Sequence, residues 1–265
     1  MGFGWGIFGA SFATILAQLI AFLLCLRSLR RLPFVQLTKA DWKTDPAILL
    51  HLCRLGIPTG LQMSMITLGG MVLQSVLNGF GVVFVAGYTA ANKLYGILES
   101  ASVAFGYAMT AYMGQNRGAR NAARIDAGIR AVLVLSAEFT AAIVTAMLVA
   151  GKPLLGLFLS TEEAGAADAL AVAYQYLMVL MAFLFALFML QAYRSSLQGL
   201  GEMTVPTLSG FAEMLMRMGA ALVLPTFIGQ SGVFFAEGAA WVCAAALNLV
   251  WYYMRIGKIK REMLQ

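Results

Sequence analysis

The sequence predicts an all-α integral membrane protein with about seven transmembrane helices, and three observations carry that reading. Of its 265 residues, 61% are hydrophobic and only 11% charged, whereas a soluble domain carries roughly 25% charged residues and 45–50% apolar ones. The apolar residues gather in runs of about 20, the length a helix needs to cross roughly 30 Å of hydrocarbon. Basic residues fall almost entirely at one end of those runs. The backbone of each run is expected to be helical, because an unpaired amide in hydrocarbon costs several kcal/mol. A transmembrane barrel would instead show short alternating segments.

The first run, Ile7–Leu26, has no basic segment before it and no small-residue cleavage site after it, so it reads as a membrane helix rather than a secretory signal. A long polar connection follows, "RSLRRLPFVQLTKADWKTDPAILLHLCRLG". Within it Asp45 and Pro46 suit an N-cap and a first helical position. The stretch "AILLHLCRL" is expected as a short helix that either runs into the membrane or lies along its surface. Six further runs complete the set: Ile57–Leu77, Val82–Met113, Ala131–Ala150, Ala169–Gln191, Thr207–Phe227 and Val233–Met254.

Charge orients these spans. One set of connections holds Arg27, Arg30, Arg31, Lys39, Lys43 and Arg54, then Arg117, Arg120, Arg124 and Arg130, then Arg194, and finally Arg255, Lys258, Lys260 and Arg261. The opposite set holds Lys152 beside Glu162, Glu163 and Asp168. Lys93 and Arg217 fall inside spans. Positive residues stay on the cytoplasmic side, which places the C-terminus there and the N-terminus outside. Because the basic residues sit at helix ends rather than on one soluble face, the net charge of +6 does not point to nucleic acid. Cys25, Cys53 and Cys243 are far apart and read as small hydrophobes, and His51 is the single histidine. No catalytic triad, metal set or phosphate loop is present, so no enzyme activity and no cofactor are expected.

The first and last spans resemble each other: "GIFGASFATILAQLIAFLLCL" and "GVFFAEGAAWVCAAALNLVWY" share Gly, Phe, Ala, Ala and Leu at a constant offset. That suggests the last helix of one repeat followed by a complete second one, a common transporter plan. Four stretches sharpen the reading: "LGIPTGLQ", "GYAMTAYMGQNRGARNAARI", "RSSLQGLGEMTVPTLSGFAEMLMR" and "GAAWVCAAALNL". With them the chain resembles the C-terminal half of a multidrug and toxic compound extrusion (MATE) family transporter. The resemblance implies the last helix of an N-terminal bundle at residues 1–26, a cytoplasmic linker with an interfacial helix at 27–54, and a six-helix bundle at 55–265. It further implies export of drugs or organic cations across a bacterial inner membrane by antiport against H+ or Na+, together with a missing N-terminal bundle. A lipid-linked saccharide flippase of the same superfamily and an inactive transporter fragment are the alternatives. One branch of the family carries coupling carboxylates where this chain has Ile66 and Leu187. Another carries its coupling aspartate in the first helix of the first bundle.

Several residues are candidates for a substrate cavity or for ion coupling. A charge at the middle of a span costs about 2.5–3.5 kcal/mol on insertion scales and usually faces a cavity or a partner. That singles out Lys93, Glu99, Glu213 and Arg217. Lys93 and Glu99 are six positions apart and do not share a helix face, so either a transport role or a structural partner is open to each. Glu213 and Arg217, four apart, can pair along one helix. Tyr95, Gln62 and Gln191 add an aromatic face and uncharged polar groups, among methionines and aromatics that suit bulky cations. Gln115, Asn116, Gly118 and Arg120 form a cytoplasmic gate motif by resemblance. There Gly114 and Gly118 would supply the turn, and Gln115 and Asn116 would bond the last helix carbonyls.

Overall fold

A computed structural model describes residues 5–31, 43–159 and 165–264, so Lys39, Glu162 and Glu163 lie outside the described residues. Among the described residues seven α-helices follow one another in the expected order: α1 Gly6–Leu29, α2 Pro46–Leu77, α3 Val82–Gly118, α4 Ala122–Gly156, α5 Ala166–Gly199, α6 Thr204–Ile228 and α7 Phe235–Leu264. Short 3-10 turns at Asn78–Phe80 and Gln230–Phe234 precede α3 and α7, and no strand occurs among the described residues. The fold is an all-α membrane fold.

The chain divides into two compact units, Met1–Leu52 and Cys53–Gln265. In the first unit, α1 exposes Phe8, Ile15 and Phe22 along one face and Leu24 on the opposite one, a surface suited to lipid rather than water. At the start of α2 the Ala47 amide donates to Asp45 Oδ1 at 2.8 Å, so Asp45 caps the helix and Pro46 takes its first position. The interfacial helix expected between the first two spans is not a separate element. It is the first part of α2, which continues unbroken for 32 residues. Pro58 removes one amide donor without ending the helix, and the Thr59 hydroxyl donates to the Leu55 carbonyl in the same turn.

Six stretches among the described residues are long and apolar enough to cross a bilayer, in α1, α2, α4, α5, α6 and the last turn-plus-helix. The expected span in α3 falls short on apolarity, because Asn92, Lys93, Glu99 and the hydroxyl residues Thr89, Ser100, Ser102 and Thr110 interrupt it. Yet α3 is 37 residues long and shares its most extensive interface with α5. The two run parallel: Gly87 lies against Ala169 and Val172, Gly106 against Ser195, and Gly199 against Thr110. A Cβ on Gly87 would approach the Ala169 carbonyl oxygen to 2.4 Å. Small residues at such crossings let two backbones come close, which is how helices gain packing energy without a hydrophobic driving force. Helix α7 packs on α5 and α6, and α4 on α3 and α5.

Toward one end of this second unit, Tyr88 stacks on Tyr176 at 4.5 Å and Phe84 on Phe234 at 5.3 Å. Toward the other, Met109, Met113, Ile125, Tyr193, Tyr252 and Ile259 form a second core. The α3–α4 turn, the α5–α6 turn and the end of α7 gather at that second end: Lys260 bonds Asp126, and Arg255 meets Glu202 at 2.7 Å. Of the basic residues that the sequence sorts to one side, Arg117, Arg120, Arg255 and Lys260 thus share one end of the unit.

Candidate functional site

Between the two cores lies a chain of buried charge. Arg194 on α5 is 5% exposed, and its Nη2 donates to Glu213 Oε2 on α6 at 2.6 Å and to Ser209 Oγ at 3.3 Å. The other oxygen of Glu213 accepts from Arg217 Nη2 at 3.1 Å, the pairing along one helix that the spacing of four allows. Arg217 then reaches Glu237 of α7 at 2.8 Å, and its Nη1 donates to the Ile66 carbonyl of α2 at 3.0 Å. Charges removed from water cost several kcal/mol each unless paired and hydrogen-bonded. Alternation of sign along Arg194–Glu213–Arg217–Glu237 meets that demand while tying α5, α6 and α7 together.

This network borders a cavity of about 440 Å³, within the roughly 300–1,000 Å³ range of small-molecule sites. Glu99, Gln191, Arg194, Glu213 and Arg217 supply its polar wall, and Trp241, Tyr107 and Met63 supply aromatic and thioether surface. Ile66 and Leu187 also line it. Apolar side chains therefore face the cavity at the two places where one branch of the resembling family keeps coupling carboxylates. Glu99 is half-buried on α3 and makes no ion pair among the described residues. Its neighbour is Tyr95, one turn earlier on the same helix face, and the Tyr95 ring stacks on Trp241 at 5.5 Å.

The remaining candidates divide. Gln62 is fully buried behind the cavity, where its Oε1 accepts from Gln198 Nε2 at 3.0 Å and its own Nε2 has no partner among the described residues. Lys93 is exposed on α3, away from the cavity, with no ion pair among the described residues. Two members of the network were not singled out by sequence. The sequence places Arg194 in a connection, because the apolar run weakens after Gln191; α5 in fact continues to Gly199 and buries it. Glu237 falls within an apolar span by sequence. The available signal was an unmatched carboxylate in the last span, facing an embedded arginine in the one before.

After α3 the structure corrects the expected source of the turn. Gly114 and Gly118 lie within α3, and Arg120 is the residue with positive φ, at 53°. The Arg120 amide donates to the Arg117 carbonyl and the Asn121 amide to Asn116, the paired closure of a left-handed helix cap. Gly201, with φ 76°, closes α5 with the same pattern of bonds, and the Arg117 guanidinium lies against it. Asn116 is buried and its Nδ2 donates to the Tyr112 carbonyl at 2.8 Å, one turn inside the helix, while backbone amides after the helix satisfy the last carbonyls. Asn121 caps α4 by accepting from the Arg124 amide. Gln115 is exposed on the last turns of α3.

Comparison with known proteins agrees with this architecture. The MatE family model matches residues 58–223. Probable multidrug resistance protein YpnP of Bacillus subtilis is 31% identical over 272 residues, covering 99% of this chain and 57% of YpnP. Probable multidrug resistance protein YoeA of the same organism is 26% identical, covering 97% of this chain and 56% of YoeA. The chain thus spans a little over half the length of these curated relatives. Among solved structures, a MATE protein in complex with MaL6 superposes with a TM-score of 0.86 at 22% identity, over 97% of this chain and 58% of that one. A MOP superfamily transporter from Pyrococcus furiosus superposes at 0.87 with 23% identity, over the same shares. These likenesses show the fold.

Proposed function

We propose, from the premise that the chain belongs to the MatE family, that it is the second half of a secondary transporter exporting drugs or organic cations in exchange for H+ or Na+. The family is one of secondary transporters rather than enzymes. On this reading residues 1–26 form the last helix of a first bundle, residues 27–54 link it across the cytoplasm, and residues 55–265 form the second bundle. The protein then spans a bacterial inner membrane several times, with its C-terminus in the cytoplasm beside Arg117, Arg120, Arg255 and Lys260.

The observation that carries the proposal is the cavity inside a membrane bundle, drug-sized and walled by aromatic and thioether groups beside buried charge. A site for a lipid-linked saccharide would need cationic groups free to hold its pyrophosphate. Here both cavity arginines are already engaged by carboxylates. Producing this chain together with a matching first bundle in a drug-sensitive bacterium tests the proposal. The expected result is cation-gradient-driven extrusion of a fluorescent lipophilic cation above an empty-vector control. With both parts confirmed in the membrane, efflux equal to the control would contradict export and favour an inactive fragment.

A further inference from the structure

We infer that a groove between α3 and α4 binds one anionic phospholipid, with an acyl chain along the groove and the phosphate on Arg124. The inference goes beyond the exporter reading and needs only that these helices cross a bilayer. The groove has a volume of about 540 Å³. Small residues open it, Ala104 and Ala108 on α3 and Gly128 and Ala131 on α4, and Phe105 and Leu135 also line it. Its lining runs from Ala104 to Tyr112 and from Ala127 to Leu135, about 12 Å along each helix at 1.5 Å per residue. No charged side chain lines it, and the Tyr112 hydroxyl is engaged, donating to the Arg124 carbonyl at 2.9 Å. Gly128 leaves room for that tyrosine ring, which a Cβ there would overlap. A drug-sized ligand is oriented by a few convergent polar groups. This groove offers none and suits a hydrocarbon chain.

Charge then selects the head of the ligand. Arg124 is exposed on the groove face of α4, because Gly128, Ala131 and Leu135 follow it at spacings of four, three and four. The acids at this end of the unit are already held: Asp126 by Lys260, Glu202 by Arg255 and Glu262 by Lys258. Arg117, Arg120, Arg124 and Arg130 form no ion pair among the described residues. An apolar slot ending at unneutralised arginines complements an amphiphile with an apolar tail and an anionic head. The planar guanidinium takes phosphate oxygens in pairs, which fits that head to Arg124. On the proposed threading the head lies in the cytoplasmic leaflet, where anionic lipids are found.

The test is lipid binding to the purified chain in detergent, read by native mass spectrometry. Dioleoylphosphatidylglycerol is the anionic probe and dioleoylphosphatidylcholine the zwitterionic one. A single phosphatidylglycerol should bind each chain, about tenfold more tightly than phosphatidylcholine. Arg124→Gln should cut that preference about fivefold, the usual share of one basic residue at an anionic surface, and leave phosphatidylcholine binding unchanged. Arg261→Gln removes the same charge from the end of α7 and should change neither affinity. Ala131→Phe fills the groove and should weaken both lipids by at least about tenfold, the equivalent of about two methylenes kept from burial. Ala127→Leu is the milder filling, used where Ala131→Phe does not fold. Glycerol 3-phosphate, which has the phosphate without the chains, should not compete. Equal loss of preference in Arg124→Gln and Arg261→Gln would reveal diffuse attraction and overturn the site. Competition by glycerol 3-phosphate would overturn it too, as would filled variants that bind both lipids like wild type. Filled variants that keep their lipid but no longer co-purify with a first bundle would give the groove to that bundle instead. None of these outcomes bears on whether the transporter exports a cation.

Discussion

Arg217→Met is expected to destabilise the folded bundle by about 3–5 kcal/mol, the usual cost of removing one partner from a buried ion pair. Arg217 is 5% exposed and answers three groups at once: Glu213 on its own helix, Glu237 on α7 and the Ile66 carbonyl on α2. Without it, Glu213 keeps Arg194, but Glu237 keeps no cation among the described residues. Methionine fills much of the volume, so the loss is electrostatic rather than a cavity effect. Thermal unfolding of the detergent-solubilised protein reads it directly. Adding Glu237→Gln to the variant should recover part of the loss, because the orphaned carboxylate is then gone. An unchanged midpoint for Arg217→Met would mean that the network contributes nothing to holding α6 against α7.

The second large effect concerns the parallel crossing of α3 and α5. A Cβ at Gly87 would sit 2.4 Å from the Ala169 carbonyl oxygen and 2.9 Å from the Val172 side chain. The first of these is backbone, which cannot swing aside as a flexible side chain can. Overpacking a tight interface costs about 1–3 kcal/mol, and more where backbone must move. Gly87→Ala should therefore lower stability measurably, and Gly87→Leu should part the helices enough to abolish a monodisperse species on size-exclusion chromatography. Gly96 on the same helix has open space around its Cβ position. Gly96→Leu should be neutral or slightly stabilising, since leucine gains up to about 1 kcal/mol of helix propensity over glycine. Equal behaviour of the two leucine variants would contradict the close α3–α5 contact.

The helices and their order were legible because hydrocarbon demands long apolar runs, and such runs stand out against any loop. The Asp45–Pro46 cap was legible because capping is local chemistry. What escaped depended on neighbours distant in sequence. By sequence Arg194 looks like an anchor at a membrane edge, but α5 continues past it to Gly199 and buries it against Glu213. Glu237 acquired meaning only from Arg217 on the preceding helix. Conformational freedom points to the glycines for the turn after α3, yet Arg120 adopts the left-handed conformation. The hydrogen bonds of the cap, and the place of its side chain beside α7, decide that position more than intrinsic preference does. Glu99 and Lys93 were alike as embedded charges. Only the packing of α3 separates the one on the cavity from the one outside it.

All of these readings require that the helices cross a bilayer with their basic ends in the cytosol. The direct measurement is cysteine accessibility in intact cells, in a background without Cys25, Cys53 and Cys243. Single cysteines would replace Ala119, beyond the end of α3, and Leu157, which is 79% exposed beyond the end of α4. A membrane-impermeant maleimide is expected to label Leu157→Cys from outside and Ala119→Cys only after the membrane is broken. Labelling of Ala119→Cys in intact cells would contradict the threading, and with it the assignment of this bundle to an exporter.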